Sequence, residues 1–324
     1  MNMECEEFDI LGIGDADLDI MIQVPHFPAH DEKVKGVIVD QCPGGIVSNF
    51  LCAASRFGAA CAAVVRVGDD ERGRLALDDL RRHGVDVSHS LCYPDSRTYF
   101  TVSCIDASGE KSMLVCMDGS TQPELADIPM PFLQRTRYVH MIGTYAELVL
   151  AVAKEKEKYG FCVSLDIERQ ERALSEQQVR QICAFTDIAF PNEQGLRYFT
   201  GKNEVEEGAA WMREQGCGVV VATLGAKGVY VCAPEESFYL PAFQVEVKDT
   251  TGAGDTFNAC FLASRVKGYS LRDCALLATA AAALQIQSVG ARKSMPDEVA
   301  ARYFLKDRGI LTEGEEHASR CPHC

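Results

Sequence analysis

Between Phe8 and Thr223 short apolar runs alternate with segments of helical spacing, and this alternation constrains the fold more than any other feature of the chain. Phe8–Ile13, Ala63–Val67, Tyr138–Ile142, Phe161–Leu165, Ile188–Phe190 and Val219–Thr223 read as short buried strands. Between them, Asn49–Phe57, Glu71–His83, Ala146–Tyr159, Ser175–Phe185 and Glu204–Glu214 carry apolar residues at helical intervals, several stopping near a glycine (Gly58, Gly84, Gly160, Gly216). Strands this apolar are covered on both faces, and alternation with helices pairs them in parallel, so a helix-covered parallel sheet is expected. Ser270-Leu-Arg-Asp273 has capping-box spacing and opens a final long helix through Ala278–Ala283 towards Gly290.

Two stretches break the rhythm. Residues 15–40 and 92–117 alternate polar and apolar side chains around Ser108-Gly109, a hairpin signal. Two antiparallel segments inserted early in an α/β chain predict a small sheet standing off the main body. Such a sheet could act as a lid that excludes water, or serve for packing or dimer contact; the two roles are compatible.

The most specific string in the chain is Asp249-Thr-Thr-Gly-Ala-Gly-Asp-Thr-Phe-Asn-Ala259. Its small residues, Gly252-Ala253-Gly254, let backbone N–H groups converge, and the helix opening at Asp255 adds its positive dipole end. An anion cradle with a carboxylate at its lip is the minimum equipment for moving a phosphoryl group onto a hydroxyl. Taken alone, the four residues Gly-Ala-Gly-Asp fit a plain helix start equally well.

The net charge of −15 argues against nucleic-acid or acidic-membrane partners, so any phosphate site must concentrate positive potential locally. No apolar run approaches the ~20 residues of a membrane span. The acidic N-terminus, Met-Asn-Met-Glu-Cys-Glu-Glu, lacks the pattern of a signal peptide, which places the expected location in the cytoplasm. The fifteen cysteines are scattered singly through apolar stretches (Cys52, Cys61, Cys104, Cys162, Cys183, Cys260, Cys274) and read as reduced core residues. At the other end, Cys321-Pro-His-Cys324 and His317 supply too few ligands for a zinc site; residues 311–324 are expected to form a solvated tail.

Other candidate residues cluster at predicted strand ends, the side where open α/β sheets bind ligands. Gly12-Ile-Gly-Asp-Ala-Asp-Leu-Asp19 lacks the third glycine of a dinucleotide fingerprint, but Asp15, Asp17 and Asp19 could bind a polyhydroxylated ligand. Gly44-Gly45 allows close backbone approach, and Asn49 offers a donor and an acceptor together. Val67-Gly-Asp-Asp-Glu-Arg-Gly73 reads as a structural turn. Arg97 and Arg169 are candidate carboxylate binders. Asn192 and Glu193 could orient metal-bound water or phosphate, and Thr223-Leu-Gly225-Ala-Lys-Gly228 suits nucleotide contact. No GxxxxGK[ST] string occurs, so the chain is not a P-loop enzyme.

In this order, over roughly residues 8–305, the pieces resemble the ribokinase-like, or PfkB, carbohydrate kinases: Gly14–Asp19, Gly44-Gly45 with Asn49, Val67–Gly73 with Gly84-Val85-Asp86, and above all Asp249–Ala259. The resemblance implies a three-layer α/β sandwich with a mainly parallel central sheet and a small β lid. It implies ATP and Mg2+, with Asp255 as base, Gly252, Ala253 and Gly254 as anion hole, and Asn192, Thr223, Gly225 and Gly228 at the nucleotide. Asp17, Asp19, Gly45 and Asn49 then face the substrate, while Asp249, Thr251 and the loop near Gly290 resemble a monovalent-cation (K+) site. The family's Asn-x-x-Glu motif reads Asn192-Glu-Gln-Gly195 here, and Ile46 stands where ribokinases often have lysine. The expected activity is phosphorylation of a primary hydroxyl on a sugar or sugar-like molecule. A nucleoside kinase, marked by aromatics such as Tyr99 or Tyr145 at the pocket, and a non-catalytic sensor are the alternatives.

Overall fold

The structure, a computed structural model, describes residues 8–117, 119–169 and 174–311. The chain opens with β1 (Phe8–Gly14), β2 (Asp17–Gln23), β3 (Val37–Gly44), α1 (Ile46–Arg56), β4 (Cys61–Gly68) and α2 (Glu71–Arg82). Then come β5 (Leu91–Tyr93), β6 (Phe100–Ile105), β7 (Lys111–Cys116), α3 (Met130–Leu133), β8 (Thr136–Ile142), α4 (Ala146–Ala153) and α5 (Lys156–Tyr159). The second half holds β9 (Cys162–Ile167), α6 (Glu176–Phe185), β10 (Ile188–Pro191), α7 (Glu193–Thr200), α8 (Val205–Glu214), β11 (Val219–Thr223), β12 (Val229–Cys232) and β13 (Ser237–Leu240). It closes with α9 (Ala253–Val266), α10 (Leu271–Gln285) and α11 (Glu298–Asp307).

Nine strands form the main sheet in the order β13-β12-β11-β10-β9-β8-β1-β4-β5, parallel from β11 to β5, with β12 and β13 an antiparallel edge hairpin. Side chains alternate between two cores, as a pleated strand covered on both faces requires. Along β4, Cys61, Ala63, Val65 and Val67 join the core beneath α1, α9 and α10, whereas Ala62 and Val64 join the core beneath α4, α6 and α8. The architecture is three-layered. The strand sequence reverses beside β1, which lies between β4 and β8, so a crevice opens at the carboxyl ends of these strands.

The second sheet, β3-β2-β6-β7, is where the alternating stretches led it to be expected. The β6–β7 turn is held by Asp106, whose Oδ1 accepts from Ser108 N (2.8 Å), Ser108 Oγ (2.6 Å) and Glu110 N (3.0 Å). Two boundaries differ from the reading above: β5, inside the 92–117 window, pairs with β4 of the main sheet, and β3 runs on to Gly44. The outer strands of this sheet stay bare, with Val37, Ile38 and Val39 on β3 and Met113, Leu114 and Val115 on β7 exposed.

Elsewhere the helical stretch Ala146–Tyr159 divides into α4 and α5, and α10 is followed by α11, so it is not the last helix. Ser270 caps α10 by accepting from Asp273 N at 3.1 Å, whereas a complete capping box is found at Ser175–Gln178. The β12–β13 hairpin and α7 escaped the sequence reading because each is short. None of the twelve cysteines of the described residues is in a disulfide; Cys52, Cys61, Cys183, Cys260 and Cys274 are buried, whereas Cys104 and Cys162, also expected in the core, are half-buried. The Cys321–Cys324 tail lies outside the described residues, among which no helix is long and apolar enough to cross a membrane.

Candidate active site

The turn Thr250–Gly252 starts α9 because Gly252 adopts φ 74°, a left-handed conformation that costs a side-chain-bearing residue strain. Ala253 N–H folds back onto Thr250 O at 3.2 Å. The N–H groups of Gly252, Gly254 and Asp255 find no acceptor among the described residues, and the space over Gly254 is open. These orphan donors and the helix dipole make an anion-attracting mouth.

Asp255, in the first turn of α9, accepts from Asn49 Nδ2 at 2.8 Å. Burial lifts its carboxyl to about 7, against the pull of the Asn49 donor; Glu168 and Asp15 push the same way as burial and Arg292 against it. Asn49 sits in the first turn of α1, which is anchored by Asp15: its carboxylate accepts from Ile46 N (3.2 Å) and Val47 N (3.0 Å) and from Tyr99 Oη (2.8 Å). Asp15 is thus a helix-start anchor built from the β1–β2 link. Asn49 was expected to present donor and acceptor to a ligand; here its Oδ1 accepts from Arg292 Nε at 2.7 Å while its Nδ2 donates to Asp255.

Asp17 and Asp19 begin β2. Thr101 Oγ1 donates to Asp19 Oδ1, whereas Asp17 Oδ1 is buried without a partner, and burial, Asp19 and Asp15 together hold the Asp17 carboxyl well above the usual range. Gly44 passes so close that a Cβ there would overlap both Asp17 Oδ1 and Asp19 Oδ2, while Gly45 caps α1. Asp166, at the end of β9, accepts from Asn258 Nδ2 at 2.7 Å, and burial and the nearby Glu168 and Asp255 raise its carboxyl too. Three elements that are distant in sequence therefore bring Asp15, Asp17, Glu168, Asp166 and Asp255 around one crevice. Arg97 and Arg169 are exposed, and among the described residues no hydrogen bond or ion pair ties either to this group. Tyr99 is buried with its hydroxyl committed to Asp15, and Tyr145 is half-buried.

On the other side of the crevice, Asn192 and Thr223 face each other across neighbouring strand ends. Asn192 Oδ1 caps α7 by accepting from Gly195 N at 2.7 Å. Gly225 opens a single 3-10 turn that Gly228 closes, and Lys227 within it holds Glu193 at 3.3 Å. A glutamate three residues past Asn192 would have to push α7 away from β9, since a Cβ on Gly195 would strike Ile167 O. Asp249 is an internal brace: Oδ1 accepts from Thr251 N (2.9 Å) and Oγ1 (2.6 Å), and Oδ2 from Gly290 N (2.9 Å). Although burial opposes it, these donors carry the Asp249 carboxyl below its usual range. Lys111 of β7 reaches Thr251 Oγ1 at 3.1 Å, a contact between the small sheet and the body. The Val67–Gly73 turn is structural, Asp70 accepting from Gly73 N (2.8 Å), Thr98 Oγ1 (2.7 Å) and Thr98 N (3.0 Å).

The residue that sequence reasoning missed is Arg292. Buried in the loop after α10, it touches Asn49, Asp79 and Gly44 O, and nothing in its local sequence marks it.

Comparison with known proteins gives the family. Residues 9–298 match the model of the pfkB family of carbohydrate kinases. The ribokinase of Bacillus subtilis is 29% identical over 295 residues, covering 89% of this chain and 96% of the relative. A nucleoside kinase of Methanothermobacter thermautotrophicus is 24% identical over 292 residues, covering 90% and 94%. The Arabidopsis thaliana ribokinase complexed with ribose and ATP superposes with a TM-score of 0.82 at 25% identity, over 93% of this chain and 99% of that one. The chain belongs to the PfkB family of carbohydrate kinases, phosphotransferases with an alcohol as acceptor.

Proposed function

We propose that this kinase transfers the γ-phosphoryl group of ATP to a primary hydroxyl of a sugar or sugar-like molecule, with Asp255 as the general base. The observation that carries the reading is a carboxylate raised to about 7 beside the unpaired N–H groups of Gly252 and Gly254. A base with that affinity takes the hydroxyl proton near neutrality, and the amides, with the dipole of α9, stabilise charge on the transferring oxygens. The acceptor would lie against Asp17, Asp19, Gly45 and Asn49, where the unpartnered Asp17 Oδ1 calls for a hydroxyl donor. ATP would lie along Asn192, Thr223, Gly225 and Gly228.

Mg2+ would enter with the nucleotide and neutralise its phosphate oxygens. Glu193 does not fit as its holder, because Lys227 already neutralises that carboxylate. Asp249 and Thr251 likewise do not fit K+ by themselves: both Asp249 oxygens are occupied by donors, and Lys111 sets an ammonium beside Thr251.

The β3-β2-β6-β7 sheet acts as a lid in this reading. Lys293 Nζ to Asp40 Oδ2 at 2.5 Å, Lys111 to Thr251 and Arg292 to Gly44 O latch it onto the body. Its bare apolar strands, Val37–Val39 and Met113–Val115, suit a homodimer contact between lids. A nucleoside acceptor is the second reading, favoured by the half-buried ring of Tyr145, whose hydroxyl is pushed up by burial and by Asp15 and Asp17. ADP release measured with ATP, Mg2+ and a panel of monosaccharides, sugar acids and nucleosides tests both. Turnover with a monosaccharide is expected; the absence of acceptor-dependent ADP release across the panel would overturn the kinase assignment.

A further inference from the structure

Arg292 makes three contacts in three directions, and each ends on a different part of the site. Nε donates to Asn49 Oδ1 (2.7 Å), Nη1 to Asp79 Oδ2 on α2 (2.6 Å), and Nη2 to Gly44 O at the end of the lid strand β3 (2.6 Å). The side chain is only 7% exposed, and Asp79 balances its charge. A buried guanidinium with a bond from each of its three nitrogens is held rigidly, because releasing a contact leaves one of those nitrogens unpaired away from water.

Its effect on Asn49 follows from donor and acceptor inventory. A carboxamide can face its neighbours in two orientations, and geometry alone seldom chooses between them. Guanidinium has donors only, so the Asn49 atom facing Nε must be the oxygen. The amide NH2 is then turned towards Asp255 Oδ2, at 2.8 Å. With Arg292 gone, the amide can turn its oxygen to Asp255, where it accepts from the protonated carboxyl and so favours the neutral form. We propose that Arg292 is a positioning residue: it sets the orientation of the Asn49 amide, through it the basicity of Asp255, and it makes both depend on the docked position of Gly44. This inference rests on the assignment of Asp255 as base.

The groups facing Asp255 are Asn49 on α1, Asp15 after β1, Asp166 and Glu168 at the end of β9, and Arg292. Asn49 and Arg292 are the two that favour the ionised carboxylate, against three acids. Loss of Arg292 therefore raises the proton affinity of Asp255 on two counts, by removing positive charge and by freeing the amide to turn.

The test is the pH dependence of kcat and kcat/KM for Arg292→Gln and Arg292→Lys, with a double-mutant cycle against Asn49→Ala. Arg292→Gln should lower kcat by about 10- to 100-fold, the scale of a misaligned proton-transfer group, while KM for ATP stays near wild type. The acid limb of the profile should move to higher pH. Arg292→Lys keeps charge without the three-way fork, so the limb should return partway while kcat stays low. In the Asn49→Ala background, Arg292→Gln should have little further effect. Since Arg292→Gln leaves Asp79 only Arg82 and His83 as partners, the pair Asp79→Asn with Arg292→Gln is measured if the single variant does not fold. An unmoved acid limb, or losses that multiply independently in the cycle, would overturn the relay. If Asp255→Asn itself turned over normally the base assignment would fail first, whereas a dead Asp255→Asn with an unmoved limb in Arg292→Gln would sink the relay alone.

Discussion

The two sides of the crevice are built differently. On the side proposed for the acceptor, Asn49, Arg292, Asp79 and Gly44 form one hydrogen-bonded network beside the Asp15 helix anchor, while Asp17 Oδ1 is buried without a partner. On the side proposed for the nucleotide, Asn192 caps its own helix, a 3-10 turn carries Gly225 and Gly228, and the side-chain tie between the two is the exposed Glu193–Lys227 pair. In the proposed reading proton transfer tolerates little misplacement, so its groups are pre-positioned at the cost of burying charge, whereas a nucleotide brings its own charge and can order a looser cradle. Tightness follows the chemistry.

The largest test of that contrast is Asp255→Asn. It should cut kcat by at least about 100-fold, the lower end of what general base catalysis supplies, while leaving ATP affinity intact in a binding titration. It should also raise the melting temperature, and the sign can be worked out. The folded-state carboxyl, raised to about 7, holds a proton that the unfolded chain has already released, so folding loses stability as pH rises from about 4 to about 7. The gain from removing the charge is therefore larger at pH 8 than at pH 5, and a melting temperature that does not rise at pH 8 would show that the carboxylate is not strained. By the same reasoning the wild-type kcat/KM should fall about tenfold per pH unit below about 7. A profile flat down to pH 5 would place the base elsewhere.

A smaller effect is expected from Gly195→Glu, which restores the family's glutamate spacing on the nucleotide side. Its Cβ would meet Ile167 O, and forcing the strand and α7 apart should cost about 1–3 kcal/mol in urea unfolding. A neutral result would mean the two backbones separate more easily than their packing implies. Charge on the lid, by Ile38→Asp with Leu114→Lys, should leave stability within about 0.5 kcal/mol because both side chains are exposed, but abolish self-association in ultracentrifugation if the lids pair. Smallest of all should be Lys227→Ala, an exposed ion pair worth under about 1 kcal/mol, changing KM for ATP a few-fold at most. A large loss there would erase the distinction between a tight and a loose side.

Much of this was legible in the chain. The parallel sheet follows from apolar runs at strand length, the small second sheet from its period-two stretches, and the glycine turn that opens α9 from Gly252–Asp255, since each is written in neighbouring residues. The edge hairpin β12–β13 and helix α7 were not, because segments of four to eight residues carry too little periodicity to stand out. Asn49 was picked out as a candidate, but its role as a donor to Asp255 was not foreseeable from Gly-Gly-x-x-x-Asn.

What the sequence determined alone is thus the set of local statements: where strands and helices form, which turn must be glycine, which carboxylate opens a helix. What only the tertiary structure decided is the proton affinity of Asp255 and the orientation of Asn49. Both depend on partners 206 and 243 positions apart in the chain. Burial and hydrogen bonding act through space at 2 to 4 Å, and no spacing in a linear string encodes which distant residues folding will bring within that range.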